Sequence, residues 1–567
     1  MKLIKNCISI ICFRLFIFII LPSFILFSLF SCKSDNDESI LISDIVHAEK
    51  LTGLNFSPDQ RELMQRSLEN NLRMYRSMRE HTIDNSIPPA LIFNPVPPGF
   101  SPPSPVWERN PGLPERVEMP ETLEDLAFYN VSELSVLIRN RQVTSVELTS
   151  MYLERLKKHN EVLKCVVTLT EDLAMEQAER ADRELAEGIY RGPLHGIPYG
   201  IKDLFAVKGY PTTWGATPYK DQIIDTNATV VEKLEEAGAV LLGKMTLGAL
   251  AMGDVWFADT TRSPWNPEIG SSGSSAGSAS ATAAGLVAFS IGTETLGSIV
   301  SPSTRCGTTG LRPTFGRVSR AGAMALSWSM DKVGPVCRSA HDAALVFEAI
   351  HGPDGKDLSL MDFPFNFNAN AGIGELKIGF FEDFFEEEYR GRGNDLATLE
   401  VLREMGVNLI PVQIDTDIPV SSLRIILNAE AAAAFDDLTL SGDDDMLVRQ
   451  NRGAWPNIFR TARFIPAVEY LQANRFRQIL AYEFNQLIKD YDVIVTPSYG
   501  GNQLLITNLT GHPCVVVPNG FDDNKNPTSI SFLGNLFDEA TLLTFVKAYQ
   551  DNTGFHLHQP PGFGTEN

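Results

Sequence analysis

Two glycine- and serine-rich segments dominate the interpretation of this chain: GSSAGS at residues 273–278 and GTETLGS at residues 292–298. Ser274 lies in the first segment and Ser298 ends the second. Because glycine has no Cβ, such segments let the backbone come close to a ligand. A serine at the end of such a loop can be flanked by free backbone N–H groups, which an acyl-transfer oxyanion requires. The two segments therefore point to acyl-transfer chemistry on a serine.

A single lysine, Lys202, lies upstream in the segment GIPYGIKD at residues 196–203. Its neighbours are largely apolar, and desolvation lowers the pKa of a lysine so that it can act as a base. A serine hydroxyl is a weak nucleophile until an adjacent base activates it. Lysine and two serines would form a hydrolase that needs neither histidine nor metal. Because neighbouring side chains on a strand point to opposite faces, we expect no contact between Asp203 and Lys202.

These residues resemble those of the amidase signature family, which carries a similar pair of segments after an IKD-type lysine. Later stretches also resemble it, and the resemblance covers roughly residues 121–559: TNATVVEKLEEAGAVLLGK at 226–244, GTTGLRPTFGRVS at 307–319, DKVGP at 331–335 and NLTGHPCVVVP at 508–518. The resemblance implies that Ser298 is the nucleophile that becomes acylated. It further implies that Ser274, beside a cis peptide bond, relays protons and that Lys202 is the general base.

The resemblance also implies an oxyanion hole and four departures from the family pattern. The hole would be formed by the backbone N–H groups of Thr295, Leu296, Gly297 and Ser298. The departures are Leu296 and Ala276 in place of glycines, Glu294 where Asp is common, and Val300 where many members carry Arg. Because leucine resists positive φ, Leu296 puts the backbone conformation of the loop in question. None of the departures removes a group that performs chemistry.

The activity that this resemblance implies is hydrolysis of a small-molecule amide through an acyl-enzyme, without a cofactor or a metal site. One alternative is a glutaminase-like A-type subunit of a tRNA amidotransferase. Another is a surface-anchored binding protein that kept the fold and lost turnover. With 70 acidic against 48 basic residues the chain has a net charge of −22, which is a poor match for nucleic acid. The sequence does not identify the amide.

A rival serine mechanism would use Ser275. GSSAG at 273–277 formally matches a nucleophile elbow centred on this residue, but an elbow needs a strand before it. Residues 264–267 and the glycine–serine run that follows do not indicate a strand. Among the other reactive side chains, His512 and Cys306 are expected to be structural, and the acidic stretch SGDDD at 441–445 is expected to be a solvated loop.

The N-terminal residues predict export. Residues 1–31 carry basic residues and an apolar run, the layout of a signal peptide. The run ends in LFSC at 29–32, which resembles a bacterial lipobox, so we expect cleavage before Cys32 and lipidation of that residue. Residues 32–44 would then be a tether that holds an exported protein on a bacterial membrane, in the periplasm or at the cell surface. An uncleaved membrane anchor is the alternative.

The rest of the chain predicts a helical and proline-rich N-terminal extension, residues 45–120, followed by a single large α/β domain, residues 121–559. Strands are expected at 165–170, 240–242, 287–291, 377–381 and 493–497, and helices at 144–158, 228–237, 340–350 and 396–405. Thr144 and Glu147 have capping-box spacing. Alternating strands and helices indicate a central mixed β-sheet with helices on both faces, as the family resemblance implies.

Overall fold

A computed structural model of the chain describes residues 39–101 and 107–564. The predicted signal peptide and Cys32 lie outside these residues. Two compact units divide the chain, one ending at Thr82 and the other beginning at Ile83. No helix within the described residues is both long and apolar enough to cross a membrane.

Within residues 39–82, the described part of the first unit contains helices α1 (Ile42–Thr52) and α2 (Pro58–Met78). Helix α2 begins after a capping box, in which the side chains of Ser57 and Gln60 each bond the backbone N–H of the other. An ion pair of 2.8 Å between Arg61 and Glu49 joins the two helices.

The second unit is built on an eleven-stranded sheet with the order β1-β3-β2-β6-β8-β7-β12-β13-β11-β9-β10. Its strands are β1 Val166–Leu169, β2 Pro198–Lys202, β3 Val240–Met245, β6 Phe289–Glu294, β7 Thr309–Arg312, β8 Lys332–Cys337, β9 Ile378–Phe381, β10 Leu409–Val412, β11 Val493–Pro497, β12 Cys514–Phe521 and β13 Pro527–Gly534. A separate two-stranded sheet pairs β4 Arg262–Ser263 with β5 Asn266–Gly270. The sheet is mixed, because β2 runs parallel to β3 and β6 whereas β6 runs antiparallel to β8.

Helices flank this sheet, which confirms the predicted α/β class. They are α3 Val131–Arg139, α4 Ser145–Leu163, α5 Glu171–Ala186, α6 Thr229–Glu236, α7 Ala276–Ala283, α8 Val300–Cys306, α9 Ala340–Ile350, α10 Glu382–Glu386, α11 Arg392–Glu404, α12 Ile425–Ala434, α13 Asp436–Ser441, α14 Trp455–Ala462, α15 Ala467–Ile488, α16 Gln503–Thr510 and α17 Glu539–Thr553. Short 3-10 helices lie at Leu123–Phe128, Thr217–Tyr219, Ala249–Ala251, Val420–Arg424, Asp443–Met446 and Phe555–Leu557. The predicted capping box of α4 is present, since Thr144 Oγ1 accepts from the backbone N–H of Glu147.

The proline-rich connection packs on the second unit as a strap, which we define as residues 83–101. The strap contains neither helix nor strand. Its Phe93 ring lies 5.2 Å from the Phe315 ring, and the Arg477 guanidinium lies 3.5 Å from the centre of the Phe93 ring. Phe100 contacts the rings of Phe363 and Phe537. Aromatic side chains therefore hold an otherwise irregular segment against the sheet domain.

Candidate active site

Adjacent strands and a helix start bring Lys202, Ser274 and Thr293 together. Lys202 ends β2, Thr293 lies near the end of the neighbouring strand β6, and Ser274 precedes α7 after a cis Gly273–Ser274 peptide bond. Lys202 Nζ lies 2.8 Å from Ser274 Oγ and 2.8 Å from Thr293 Oγ1, with Ser275 Oγ at 3.2 Å. The lysine and one of the two predicted serines are thus in direct contact.

Burial makes Lys202 a base near neutral pH. Its side chain is inaccessible to solvent, and this desolvation lowers the pKa of Lys202 to about 7. The negative charges of Asp331 and Glu294 oppose the shift but do not cancel it. Asp203 is not among these neighbours. Its carboxylate lies 2.8 Å from Lys244 Nζ on β3, which confirms that it points away from Lys202.

Ser298 ends the loop that follows β6, just before α8, and is 9% exposed. Its carbonyl accepts from the backbone N–H of Ser275, which ties the loop to the first glycine–serine segment. The left-handed residue of the loop is Gly297, with φ of 82°, and Leu296 is not among the residues with positive φ. Leucine is therefore tolerated at 296 because the neighbouring glycine adopts the conformation that leucine resists.

Glu294 fixes the backbone on the far side of Ser298, a contact that no local sequence pattern indicates. Its Oε2 accepts from the backbone N–H groups of Ile299 and Val300 at 2.9 and 3.0 Å. Its Oε1 accepts from Arg312 Nη1 at 2.9 Å and from Asn508 Nδ2 at 2.8 Å. Burial opposes ionisation, but Arg312 and these donors together lower the pKa of Glu294 to about 2.

Thr295 and Asp331 form a second support of the same loop. Thr295 Oγ1 donates to Asp331 Oδ1 at 2.5 Å, and Asp331 Oδ2 accepts from the backbone N–H groups of Leu326 and Ser327. Burial raises the pKa of Asp331, although these donors oppose the rise. The hydroxyl of Thr295 is thereby bonded to Asp331, which fixes the residue that carries one of the predicted oxyanion donors.

The prediction that no strand precedes Ser275 is wrong, because β5 occupies Asn266–Gly270. The sequence of β5 does not indicate a strand, since proline, glutamate and glycine are depleted in strands. Ser275 Oγ is nevertheless fully buried, contacts Lys202 Nζ, donates to the carbonyl of Thr293 and accepts from its N–H. No histidine is among its hydrogen-bond partners in the described part of the chain.

His512 and Cys306 are buried, as expected for residues with a structural role. His512 is buried against Thr510, and burial lowers the pKa of His512 to about 3. Cys306 is buried and unpaired. Asp444 is not solvated as predicted for its loop, but is buried and bonded to Arg460 at 2.8 Å. Within residues 39–101 and 107–564, no group of three or more His, Cys, Asp or Glu side chains is placed to hold a metal ion.

A cavity of about 200 Å³ lies beside these residues. Thr293 and Thr295 line it, together with Leu204, Ala251 and the segment 320–326. Three strap residues, Asn85, Ser86 and Pro88, also line it, as do Trp328, Asp331, Lys332, Val333, Lys356, Asp357 and Leu358.

Comparison with known proteins shows the family of the chain. The family model described as Amidase matches residues 147–543. The chain belongs to the amidase signature family. Among curated proteins, the A-type subunit of the glutamyl-tRNA(Gln) amidotransferase of Marinomonas sp. is 33% identical over 76% of this chain and 98% of its own length. The corresponding protein of Coxiella burnetii (strain Dugway 5J108-111) is 32% identical over the same shares.

Solved structures of the amidase signature family superimpose on most of the chain. The native peptide amidase from Stenotrophomonas maltophilia has a TM-score of 0.70 at 28% identity, covering 78% of this chain and 100% of that protein. An amidase family protein from Bacillus anthracis has a TM-score of 0.69 at 26% identity, covering 77% and 93%. The family membership supports action on an amide C–N bond, by hydrolysis or by amide transfer.

Proposed function

We propose that the protein hydrolyses a small-molecule carboxylic amide through an acyl-enzyme on Ser298. The observation that carries this proposal is the fully buried Lys202, with Nζ 2.8 Å from Ser274 Oγ and a pKa lowered to about 7. A neutral amine at this position can accept the Ser274 hydroxyl proton, as general-base catalysis requires. No cofactor is invoked.

The chemistry proceeds in two halves. Lys202 takes a proton through Ser274 while Ser298 Oγ attacks the amide carbonyl and forms a C–O bond. The C–N bond then breaks, and the relay returns the proton to the leaving amine or ammonia. In the second half, water attacks the acyl ester under the same general base, and the carboxylic acid leaves Ser298.

The backbone N–H groups of residues 295–298 would stabilise the oxyanion formed in each half. Glu294 and the Thr295–Asp331 contact support this assignment, because they hold the loop from both ends without using its own N–H donors. Loss of a single oxyanion donor typically costs about 3–4 kcal/mol of transition-state stabilisation. A preformed loop should therefore contribute a large part of the rate enhancement.

A fluorophosphonate serine probe tests the proposal. The soluble form, residues 33–567, is incubated with the probe and the labelled peptide is mapped. We expect labelling of Ser298, its loss in Ser298→Ala, and a decrease by orders of magnitude in Lys202→Ala. Ser301→Ala is the matched control, because Ser301 is a nearby serine on α8, the helix that begins just after Ser298. Full amide turnover in Ser298→Ala would overturn the assignment.

A second candidate is an amidotransferase A-type subunit, which the names of the 32–33% identical relatives favour. Such a subunit would release ammonia from glutamine for a partner enzyme, in an ATP-dependent reaction. Glutamine hydrolysis that rises on addition of a partner and ATP would support it. The net charge of −22 argues against a direct contact with tRNA.

We further propose that the protein is exported and anchored to a bacterial membrane through lipid on Cys32. The lipobox-like LFSC at 29–32 and the polar residues after it support this proposal. The acidic composition and export both favour a small extracytoplasmic substrate over a role in the transamidation of tRNA.

A further inference from the structure

The cavity reaches Thr293, whose hydroxyl contacts Lys202 Nζ at 2.8 Å. It is walled partly by residues that lie outside the region of family similarity. The family match begins at residue 147, whereas Asn85, Ser86 and Pro88 of the strap line the cavity. Ser86 and Pro88 are exposed, whereas Thr295 is 6% exposed. The strap therefore borders the cavity on its solvent side, and the loop before Ser298 borders it on the inside.

Asn85 joins the strap to the wall of this cavity through hydrogen bonds. Its Oδ1 accepts from the backbone N–H of Ala325 at 2.7 Å, and its Nδ2 donates to the carbonyls of Ala325 and Ala434 at 3.0 and 3.1 Å. One amide side chain thus joins the strap to the cavity wall and to the end of α12. Further along the strap, Phe93 lies against Arg477 and Phe315, so the segment is held at two separate places.

The surface that the cavity offers is mainly apolar. Leu204, Met324, Leu326 and Val333 line it, together with small residues of the segment 320–326. Its two carboxylates are already engaged. Asp357 pairs with Arg320 at 2.9 Å, and Asp331 accepts from Thr295 and from two backbone N–H groups. The lining lysines are engaged as well, because Lys356 pairs with Glu232 at 2.6 Å and Lys332 Nζ donates to the Met330 carbonyl. Since each charged group of the lining already has a partner, a ligand group that fills this space would be uncharged and apolar.

We propose that this cavity is the subsite for the apolar substituent of the substrate amide, and that the strap sets the size limit of that substituent. The inference rests on the proposed amide hydrolysis. An apolar protein cavity of about 150 Å³ is large enough for benzene, so a cavity of about 200 Å³ suits a phenyl group or a short alkyl chain. A long alkyl chain would have to displace the strap.

Two amide series test the size limit. One runs from acetamide to dodecanamide and includes benzamide, and the other carries the same substituents on the nitrogen of acetamide. We expect kcat/KM in one series to rise up to benzene-sized groups and then to fall, by about tenfold or more for the first substituents that exceed the pocket. The series that shows the limit identifies which side of the amide enters the cavity.

Two strap variants should move this limit in opposite directions. Asn85→Ala removes the bonds to Ala325 and Ala434 and should shift the limit to longer substituents. Ser86→Leu adds volume at the cavity wall and should shift the limit to shorter substituents. Asn94→Ala is the matched control, because Asn94 lies in the same strap and, among the described residues, its side chain bonds only the nearby backbone N–H of Val96.

The outcomes separate this inference from the proposed function. A size profile without a limit, or one that both strap variants leave unchanged although they are folded, would overturn the subsite. Absence of turnover for every amide and of probe labelling at Ser298 would instead overturn the function. In that case, the increase in Tm that each amide causes still reports on the cavity. Asn85→Ala should then shift the preferred substituent length, and an unchanged preference would again overturn the subsite.

Discussion

Glu294 forms a buried ion pair with Arg312, at 2.9 Å, and also accepts the two backbone N–H groups that follow Ser298. Both side chains are completely buried. This relationship involves two departures from the family pattern, Glu294 and Val300. The longer Glu at 294 reaches the backbone N–H of Val300 itself, so residue 300 contributes only a backbone donor. The positive charge that pairs with this carboxylate is that of Arg312, the last residue of β7.

Replacement of Glu294 should affect both activity and stability. Glu294→Gln keeps the size of the side chain but leaves Arg312 without its counter-charge and presents a donor to other donors. Breaking a buried pair in this way typically costs about 3–5 kcal/mol. We expect kcat/KM to fall by about 100-fold, in line with loss of an oxyanion donor. Steady-state kinetics and urea unfolding provide the measurements, with exposed Glu268→Gln as the control. Near-wild-type kinetics in Glu294→Gln would show that the loop does not depend on this carboxylate.

The same carboxylate predicts an acid-dependent loss of stability. The pKa of Glu294 falls from an ordinary 4.5 to about 2 in the folded chain. Its contribution is therefore complete above pH 4.5 and is lost as the pH falls towards 2, an effect of about 3 kcal/mol. The free energy of unfolding of the wild type should decrease more steeply over this interval than that of Glu294→Gln. Parallel pH profiles of the two proteins would contradict this explanation.

The fold class and the contact between Lys202 and Ser274 could be predicted from sequence. Alternating strand and helix patterns indicate the fold class, and the family-like lysine and glycine–serine segments indicate the contact. Other features could not, because they depend on residues distant in sequence. The sequence predicts that β3 ends at Leu242, yet the strand continues to Met245 since Asp203 neutralises the buried Lys244. The role of Glu294 likewise depends on Arg312 and Asn508, which no local pattern connects to it.

Removal of one partner from the pair of Asp203 and Lys244 should be strongly destabilising. Both side chains are inaccessible to solvent, and Lys244 Nζ also donates to the Pro211 carbonyl. Asp203→Asn leaves a buried ammonium uncompensated and should lower the free energy of unfolding by about 3–5 kcal/mol. The exposed pair of Lys208 and Asp225, at 3.6 Å, offers a matched control. Asp225→Asn should change the free energy of unfolding by about 0–1 kcal/mol. Chemical denaturation of both variants gives the two free energies of unfolding. Equal losses would show that burial of the charged pair is not the cause of the destabilisation.

The proposed lipidation of Cys32 predicts the location of the protein in cells. The full chain, expressed in a bacterium, should incorporate labelled palmitate and sediment with membranes. Cys32→Ser should lose the label, because the thiol is the expected acylation site. The control is Cys165→Ser, which changes a buried cysteine of the sheet domain. Membrane association that persists in Cys32→Ser without any label would favour an uncleaved N-terminal anchor instead.

The pH dependence of turnover follows from the buried lysine. Only neutral Lys202 can accept a proton, and its pKa is lowered to about 7. kcat/KM should therefore rise about tenfold per pH unit below 7 and level off above it, since the neutral form then predominates. Asp331→Asn should move this limb to lower pH, because the negative charge of Asp331 raises the pKa of Lys202. Initial rates on one amide from mildly acidic to mildly alkaline pH, with circular dichroism as a check of folding, give both profiles. A limb near the ordinary lysine pKa of 10.5 would show that the amine is solvated during catalysis, and the proposed base would have to be abandoned.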